Sequence, residues 1–147
     1  IGEDGVDPLF SAIAREGLVL LLHTGFDIAF PHDRIADPVR VSRIIDRHPE
    51  LTLVTSHFGA WKDWAEAARS ILSTPFYLDL SASFEFMESA RARRFLLEHP
   101  AEYLLFGSDS PWDGQASLLE RVLAMDLPPD RLELLLHGNA ERLLKGM

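Results

Sequence analysis

The sequence predicts an α/β fold of about four parallel strands alternating with helices. Three observations predict it. Short unbroken apolar runs, of which residues 18–22 are the clearest, suit strands buried on both faces of a parallel sheet. Each run is followed by a polar turn and then by a helix-length segment, an order that implies right-handed crossovers between parallel strands. Finally, the runs end in polar residues set beside Gly or Ser-Pro turns, as at His23-Thr24-Gly25 and Ser108-Asp109-Ser110-Pro111.

The elements follow in order. Asp7-Pro8 reads as a helix start, with Asp7 as N-cap and Pro8 at the first helical position. Leu9, Phe10, Ile13 and Ala14 give that helix one apolar face, and Gly17 is placed to end it. The first strand is 18–22. Asp37-Pro38 repeats the opening grammar for a second helix with Val41, Ile44 and Ile45 inward, and 51–54 is the second strand. A third helix is expected over 61–72, a third strand over 76–80, and a fourth helix over 85–99, closed by Pro100. The fourth strand is 103–106, and 118–125 is helical. The apolar segment 132–136 could be strand or helix, and its position before a capped segment favours helix. Asn139 reads as the N-cap of a last helix over 140–145. Residues 25–36 and 110–115 are left as long loops.

Composition narrows the function classes. The chain has 147 residues, 47% of them apolar, enough for one domain with a real core. It carries 14 basic and 23 acidic residues, a net charge of −9. That balance argues against a phosphate-backbone binder and against an anionic membrane surface, so neither nucleic acid nor membrane is an expected partner. No apolar run approaches the ~20 residues of a membrane span, and no signal peptide opens the chain. A cytoplasmic location is the resulting expectation. With no cysteine, disulfides, thiolate metal sites and cysteine nucleophiles are excluded. There is no G-x-S-x-G elbow, G-x-G-x-x-G loop or P-loop. The first residue is Ile1 rather than Met, which suggests a start that was processed or trimmed.

In parallel α/β folds the strand C-termini open on one face, and that face carries the site. The four ends here are His23, His57, Asp79 with Ser81, and Asp109. Two imidazoles and a carboxylate are good ligands for zinc or a similar divalent ion. An ion held there would lower the pKa of a bound water to about 7, and an acidic neighbour could move its proton. Each residue alone has a plainer reading. His23 and His57 could be ordinary hydrogen-bonded histidines, and Asp109 could cap the turn before Pro111. Three such residues at equivalent strand ends favour a site. His48 and His99 each precede a proline at a helix end and read as partners of the helix dipole. His32 lies in the first long loop, where it could touch substrate or simply face water. His137 reads as a turn residue. Trp64 suits the core, while Trp61 and Trp112 sit on the loop side as pocket walls.

Five segments, taken together, resemble a known family: 21–27 (Leu-Leu-His-Thr-Gly-Phe-Asp), 54–61 (Val-Thr-Ser-His-Phe-Gly-Ala-Trp), 77–81 (Tyr-Leu-Asp-Leu-Ser), 105–112 (Leu-Phe-Gly-Ser-Asp-Ser-Pro-Trp) and 138–144 (Gly-Asn-Ala-Glu-Arg-Leu-Leu). In this order they resemble the amidohydrolase superfamily, in its amidohydrolase-related branch of metal-dependent hydrolases, decarboxylases and lactonases. The resemblance runs from about Asp7 to Leu144. It implies a (β/α)8 TIM barrel with a divalent metal at its C-terminal face. His23 then matches the metal-binding histidine of the fifth strand. His57 matches the sixth-strand histidine that assists catalysis or binds metal. Asp79 and Ser81 match the seventh-strand end, and Asp109 the eighth-strand aspartate that binds metal and moves protons.

One departure is large. The family's first strand supplies an H-x-H or E-x-H pair of ligands, and this chain has no such pair. A whole barrel needs about 250 residues. The chain therefore reads as a single domain over 1–147, the C-terminal half of a barrel. Its first half is expected on missing upstream residues, on another chain, or as a second copy in a homo-oligomer. The implied function is a metal-dependent hydrolase acting on a small carboxylated or lactone-type substrate. Zinc is the first expectation for the metal and manganese the second, with His32, Trp61, Ser81 and Trp112 near the substrate. Decarboxylation by the same ligands is the alternative chemistry. A non-catalytic half-barrel is the alternative class. An open doubly wound sheet binding a phosphorylated ligand is a further one, disfavoured by the lack of a Gly-rich loop.

Overall fold

The computed structural model describes Ile1 and residues 4–146. Four strands form one parallel sheet in the order β1-β2-β3-β4: β1 Val19–Leu22, β2 Thr52–Thr55, β3 Tyr77–Asp79 and β4 Leu104–Leu105. The expected strands are present with slightly different limits. Between and after them come α1 Asp7–Arg15, α2 Pro38–Arg47, α3 Trp64–Ser70, α4 Ser89–Glu98, α5 Gln115–Leu123, α6 Pro129–Glu133 and α7 Asn139–Lys145.

The register divides the sheet into two faces. Leu22, Thr55, Leu78 and Leu104 lie side by side, with Leu20 and Leu53 two residues earlier on the same side. Leu53, Thr55, Leu78 and Leu104 are buried, and the apolar ones pack in one core with Phe10, Val41, Ile44, Trp64, Phe95 and Leu118 from the helices. The opposite face carries Leu21, Val54, Tyr77, Asp79 and Leu105. It is far less covered: Leu21 is 65% exposed. Consecutive strands neighbour each other, each reached by a helical crossover, so all four C-terminal ends lie at one edge of the sheet.

Several local expectations are corrected. Asp37 is the N-cap of α2 as expected, and its carboxylate accepts from the Val39 and Arg40 N–H groups. Asp7 is not a cap. Val6 holds the cap position of α1, and Asp7 lies inside the first turn with its carboxylate on Arg47 and His48. The third helix begins at Trp64 rather than at 61, because the Trp61 backbone is used elsewhere: its N–H donates to Thr24 and its carbonyl accepts from Phe26. Asn139 is not an N-cap either. Residues 129–145 run as one helix through a π turn at Leu134–Gly138, and the buried Asn139 amide donates to the Ala101 and Leu104 carbonyls. His137 lies in that π turn, beside Glu141. The segment 132–136 is helical, as its context suggested.

Candidate functional site

The C-terminal ends of β1 and β2 are tied together before any side chain is considered. Beyond β1, the Thr24 hydroxyl donates to the Ser56 carbonyl at 2.8 Å, and the Gly25 N–H donates to Ala36 at 2.9 Å. Gly25 has φ +93°, and a Cβ there would lie 2.1 Å from the Trp61 nitrogen. Only glycine lets the two backbones approach so closely. This neck closes the loop 25–36, whose Arg34 reaches back to Asp63. Beyond β2, His57, Phe58 and Gly59 all have positive φ, at 61°, 52° and 80°. Two non-glycine residues in that region carry strain of roughly 1–3 kcal/mol each. The turn is held by Asp79, whose carboxylate accepts the His57 N–H at 3.1 Å and the Ser81 N–H at 2.9 Å. Trp64, buried in the core as expected, donates its indole N–H to the His57 carbonyl at 2.9 Å.

These ties aim the two imidazoles at each other. His57 Nδ1 lies 2.9 Å from the Ser81 carbonyl. A carbonyl only accepts, so the proton is on Nδ1 and Nε2 keeps its lone pair. His23 Nε2 lies 3.1 Å from the Phe26 carbonyl, which by the same logic leaves the His23 Nδ1 lone pair free. The two bare nitrogens, His57 Nε2 and His23 Nδ1, stand 3.1 Å apart. Two lone pairs that close need a cation between them. A proton would serve, but burial holds the His57 imidazole below its usual pKa, and the facing His23 pushes the same way. Ser81, Asp79 and Asp109 pull it partly back. A metal ion also fits: two nitrogens on one zinc at roughly 2.0–2.1 Å and a tetrahedral angle stand about 3.3 Å apart. Carbonyl bonds to the far ring nitrogens are the usual way of orienting such ligands. The fit is partial. Among the described residues no group of three His, Asp or Glu side chains is arranged to hold an ion.

A cavity of about 580 Å³ opens at this spot. Its lining brings together His23, His57, Asp109, Trp61 and Trp112 from the expected set. Asp109 has φ +58° and is exposed on the cavity side of β4. His32 and Ser81 are not among the lining residues. His32 is exposed on the 25–36 loop, and Ser81 is buried behind His57, where its carbonyl orients the ring. The structure adds residues that sequence reasoning missed: the carboxylates of Asp27, Glu85 and Asp113, and the ring of Phe86. Asp113 Oδ2 is buried without a hydrogen-bond partner. Asp27 and Asp113 lie in the two loops marked as long, which was the available signal; Glu85 and Phe86 fall where a helix was expected. The cavity is strongly acidic, with four carboxylates and no Lys or Arg in its lining. Such a lining favours a cation.

His48 and His99 lie elsewhere, at the C-terminal ends of α2 and α4 as expected. His48 Nε2 faces Asp7 at 3.3 Å. His99 is fully buried and donates Nε2–H to the Phe76 carbonyl at 2.9 Å. Burial lowers its pKa to about 4, so it is neutral at pH 7. No helix among the described residues is long and apolar enough to cross a membrane.

Comparison with known proteins bears on both fold and family. A comparison with curated proteins finds no match. Solved structures do match. An uncharacterised TIM-barrel protein from Bordetella bronchiseptica is 26% identical, with a TM-score of 0.80 over 99% of this chain and 52% of that one. A proposed 2-pyrone-4,6-dicarboxylic acid hydrolase from Pseudomonas putida is 23% identical, with a TM-score of 0.70 over 99% of this chain and 58% of that one. A dihydroxybenzoic acid decarboxylase from Polaromonas, solved with bound manganese and the inhibitor 2-nitroresorcinol, is 16% identical, with a TM-score of 0.70 over 98% of this chain and 55% of that one. The chain thus spans about half the length of the structures it resembles, and its fold is that of half a TIM barrel. The amidohydrolase family model matches residues 2–146, and the chain belongs to that family.

Proposed function

We propose that this chain supplies one half of the active site of a metal-dependent hydrolase acting on a small carboxylated or lactone-type substrate. The observation that carries the reading is the pair of bare imidazole nitrogens 3.1 Å apart, each fixed by a carbonyl bond on its far side, at the floor of an acidic cavity. His23 and Asp109 would hold the ion, with His57 as a further ligand or as the group that polarises the substrate. Zinc suits this nitrogen and oxygen donor set, and manganese is the alternative. When bound, the ion supplies Lewis acidity and an activated water. Asp109 takes and returns the proton, because it is the cavity carboxylate at the end of β4. Trp61 and Trp112 wall the substrate, and Ser81 fixes the His57 ring.

The remaining ligands come from a covering half, either further residues of the same polypeptide or a second copy. It would also cover the open sheet face at Leu21, Tyr77 and Leu105. The 147 residues alone should therefore self-associate, and a cleanly monodisperse, stable monomer would refute the covering half.

Decarboxylation is the second reading, favoured by the decarboxylase of the same fold with manganese. The same residues serve it, with Asp109 donating rather than accepting a proton. Metal analysis after chelation and repletion tests the common part: about one divalent ion per chain is expected, lost in His23→Ala. No bound metal in the assembled protein would leave a non-catalytic half-barrel as the better reading. Product analysis in ¹⁸O-water then separates the chemistries, since hydrolysis incorporates the label and decarboxylation releases carbon dioxide without it.

A further inference from the structure

A second cavity adjoins the first. It has a volume of about 560 Å³ and shares Asp27, Ile28, Trp61 and Phe86 with its neighbour, so these four residues form the partition between the two. The second cavity adds Phe26, Pro31 and one charged residue, Lys62. The Lys62 ammonium lies 4.3 Å from the centroid of the Trp61 ring and 4.8 Å from that of Phe86. The two rings meet edge to face, Trp61 buried at 8% exposure and Phe86 half exposed at 51%. Lys62 has φ +59°, a strained backbone at the turn that folds it back over Trp61.

The charges around it make this lysine unusual. The reaction cavity has four carboxylates and no basic side chain. The nearby arginines are spoken for: Arg34 pairs with Asp63 and Arg40 with Asp37. Lys62 makes no ion pair among the described residues, and its partners are rings, which hold an ammonium without cancelling its charge. Among the described residues that line the two cavities, a carboxylated substrate therefore meets one Lys or Arg, Lys62, across the Trp61–Phe86 partition.

We propose that Lys62 is a specificity-determining residue, and that the substrate carries a carboxylate at the end remote from the reacting bond. The reacting end lies at His23, His57 and Asp109. A flat apolar body runs along the Trp61 and Phe86 rings, and the remote carboxylate pairs with Lys62. This deepens the proposed function and rests on it.

The test uses the full-length, metal-loaded protein and calorimetric binding of four probes. Benzene-1,4-dicarboxylate and biphenyl-4,4′-dicarboxylate carry the remote carboxylate; benzoate and biphenyl-4-carboxylate lack it. Lys62→Met keeps the apolar stem on the rings and removes the charge. It should weaken at least one dicarboxylate by about tenfold or more while leaving its monocarboxylate within about twofold, and Lys62→Arg should restore most of the loss. If both classes bind and Lys62→Met leaves their ratio unchanged, the role of Lys62 is overturned and the proposed function stands. If no probe binds although the metal is retained, the carboxylated-substrate reading falls together with it.

Discussion

His57 and His99 are alike in most respects that can be tabulated. Both are buried, burial lowers the pKa of both, and each has one ring nitrogen on a backbone carbonyl at 2.9 Å. They differ in which end of the sheet they occupy. His99 caps α4 at the N-terminal end, where its second nitrogen has no partner and its ring packs edge-on against Phe76. His57 follows β2 at the C-terminal end, where its second nitrogen meets His23 on a cavity. Burial and a shifted pKa therefore do not separate the two histidines. A free lone pair aimed at the cavity does, and the proposed function rests on it.

Backbone strain follows the same division. Positive φ occurs at the C-terminal end in Gly25, His57, Phe58, Gly59, Lys62, Ala82 and Asp109, and at the other end only in Gly17, Ser73 and Asp126 among the described residues. Among the non-glycine residues, where positive φ carries strain, five of the seven lie at the cavity end, His57, Phe58, Lys62, Ala82 and Asp109, which is the distribution the proposed function leads one to expect.

The sharpest way to break this comparison is to remove each ring. Under the proposed function, His57→Ala in the assembled protein should lower kcat/KM by roughly 10²–10⁴-fold at equal folded fraction. His99→Ala should do the reverse, lowering stability by about 2–4 kcal/mol and leaving the activity of the folded fraction nearly intact. Steady-state kinetics beside urea unfolding reads both. Equal activity losses at equal folded fraction would show that the two ends are not functionally distinct.

The next effect is smaller and concerns pH. Between its ordinary value of 6.5 and about 4, His99 is protonated in the unfolded chain and neutral in the folded one. The unfolded state binds the extra proton, so stability falls as pH falls through that window. The contribution is complete above pH 6.5 and, at 1.36 kcal/mol per unit, about 3 kcal/mol of it is gone by pH 4. His99→Gln can still donate to Phe76 but cannot titrate. The stability difference between wild type and this variant should narrow by that amount between pH 7 and pH 4, measured by urea unfolding. A constant difference would mean that His99 is protonated in the folded protein.

Much of this was legible in the sequence, because apolar runs and strand-end polar residues are local signals. Four strands, their parallel order and the meeting of His23, His57 and Asp109 at one end all followed from them. The parts that were not legible depend on contacts distant in the chain. Asp27, Glu85 and Asp113 become cavity residues only when three loops converge. The third helix starts late because Trp61 bonds to Thr24 and Phe26, which no spacing within 61–72 records. Asn139 reads as a cap locally, yet it is buried under Ala101 and Leu104 in a continuous helix. Ser81 was placed near substrate by its strand-end position, and the structure puts it one layer behind.

The two Asp-Pro pairs carry the smallest and most local test of the same point. Their sequences are identical in grammar, and only one acts as read. Asp37 caps α2 through the Val39 and Arg40 N–H groups. Burial alone would raise its pKa, but the Arg40 backbone N–H and the Arg40 and Arg34 guanidinium groups outweigh it and hold the carboxyl below its usual value. Asp37→Ala should cost about 1 kcal/mol, as the loss of an N-cap does, and Asp37→Asn, which keeps the backbone acceptor but gives up the Arg40 pair, should recover part of it near pH 7. Asp7 instead ties α1 to the end of α2 through Arg47 and His48, with no cap bond. Asp7→Asn keeps an acceptor but removes the charge that these two side chains face, so it should not rescue Asp7→Ala as Asp37→Asn rescues Asp37→Ala. Urea unfolding of the four variants reads the difference. Equal rescue at both sites would mean that Asp7 acts through local backbone bonding after all, and that the identical dipeptides have identical roles.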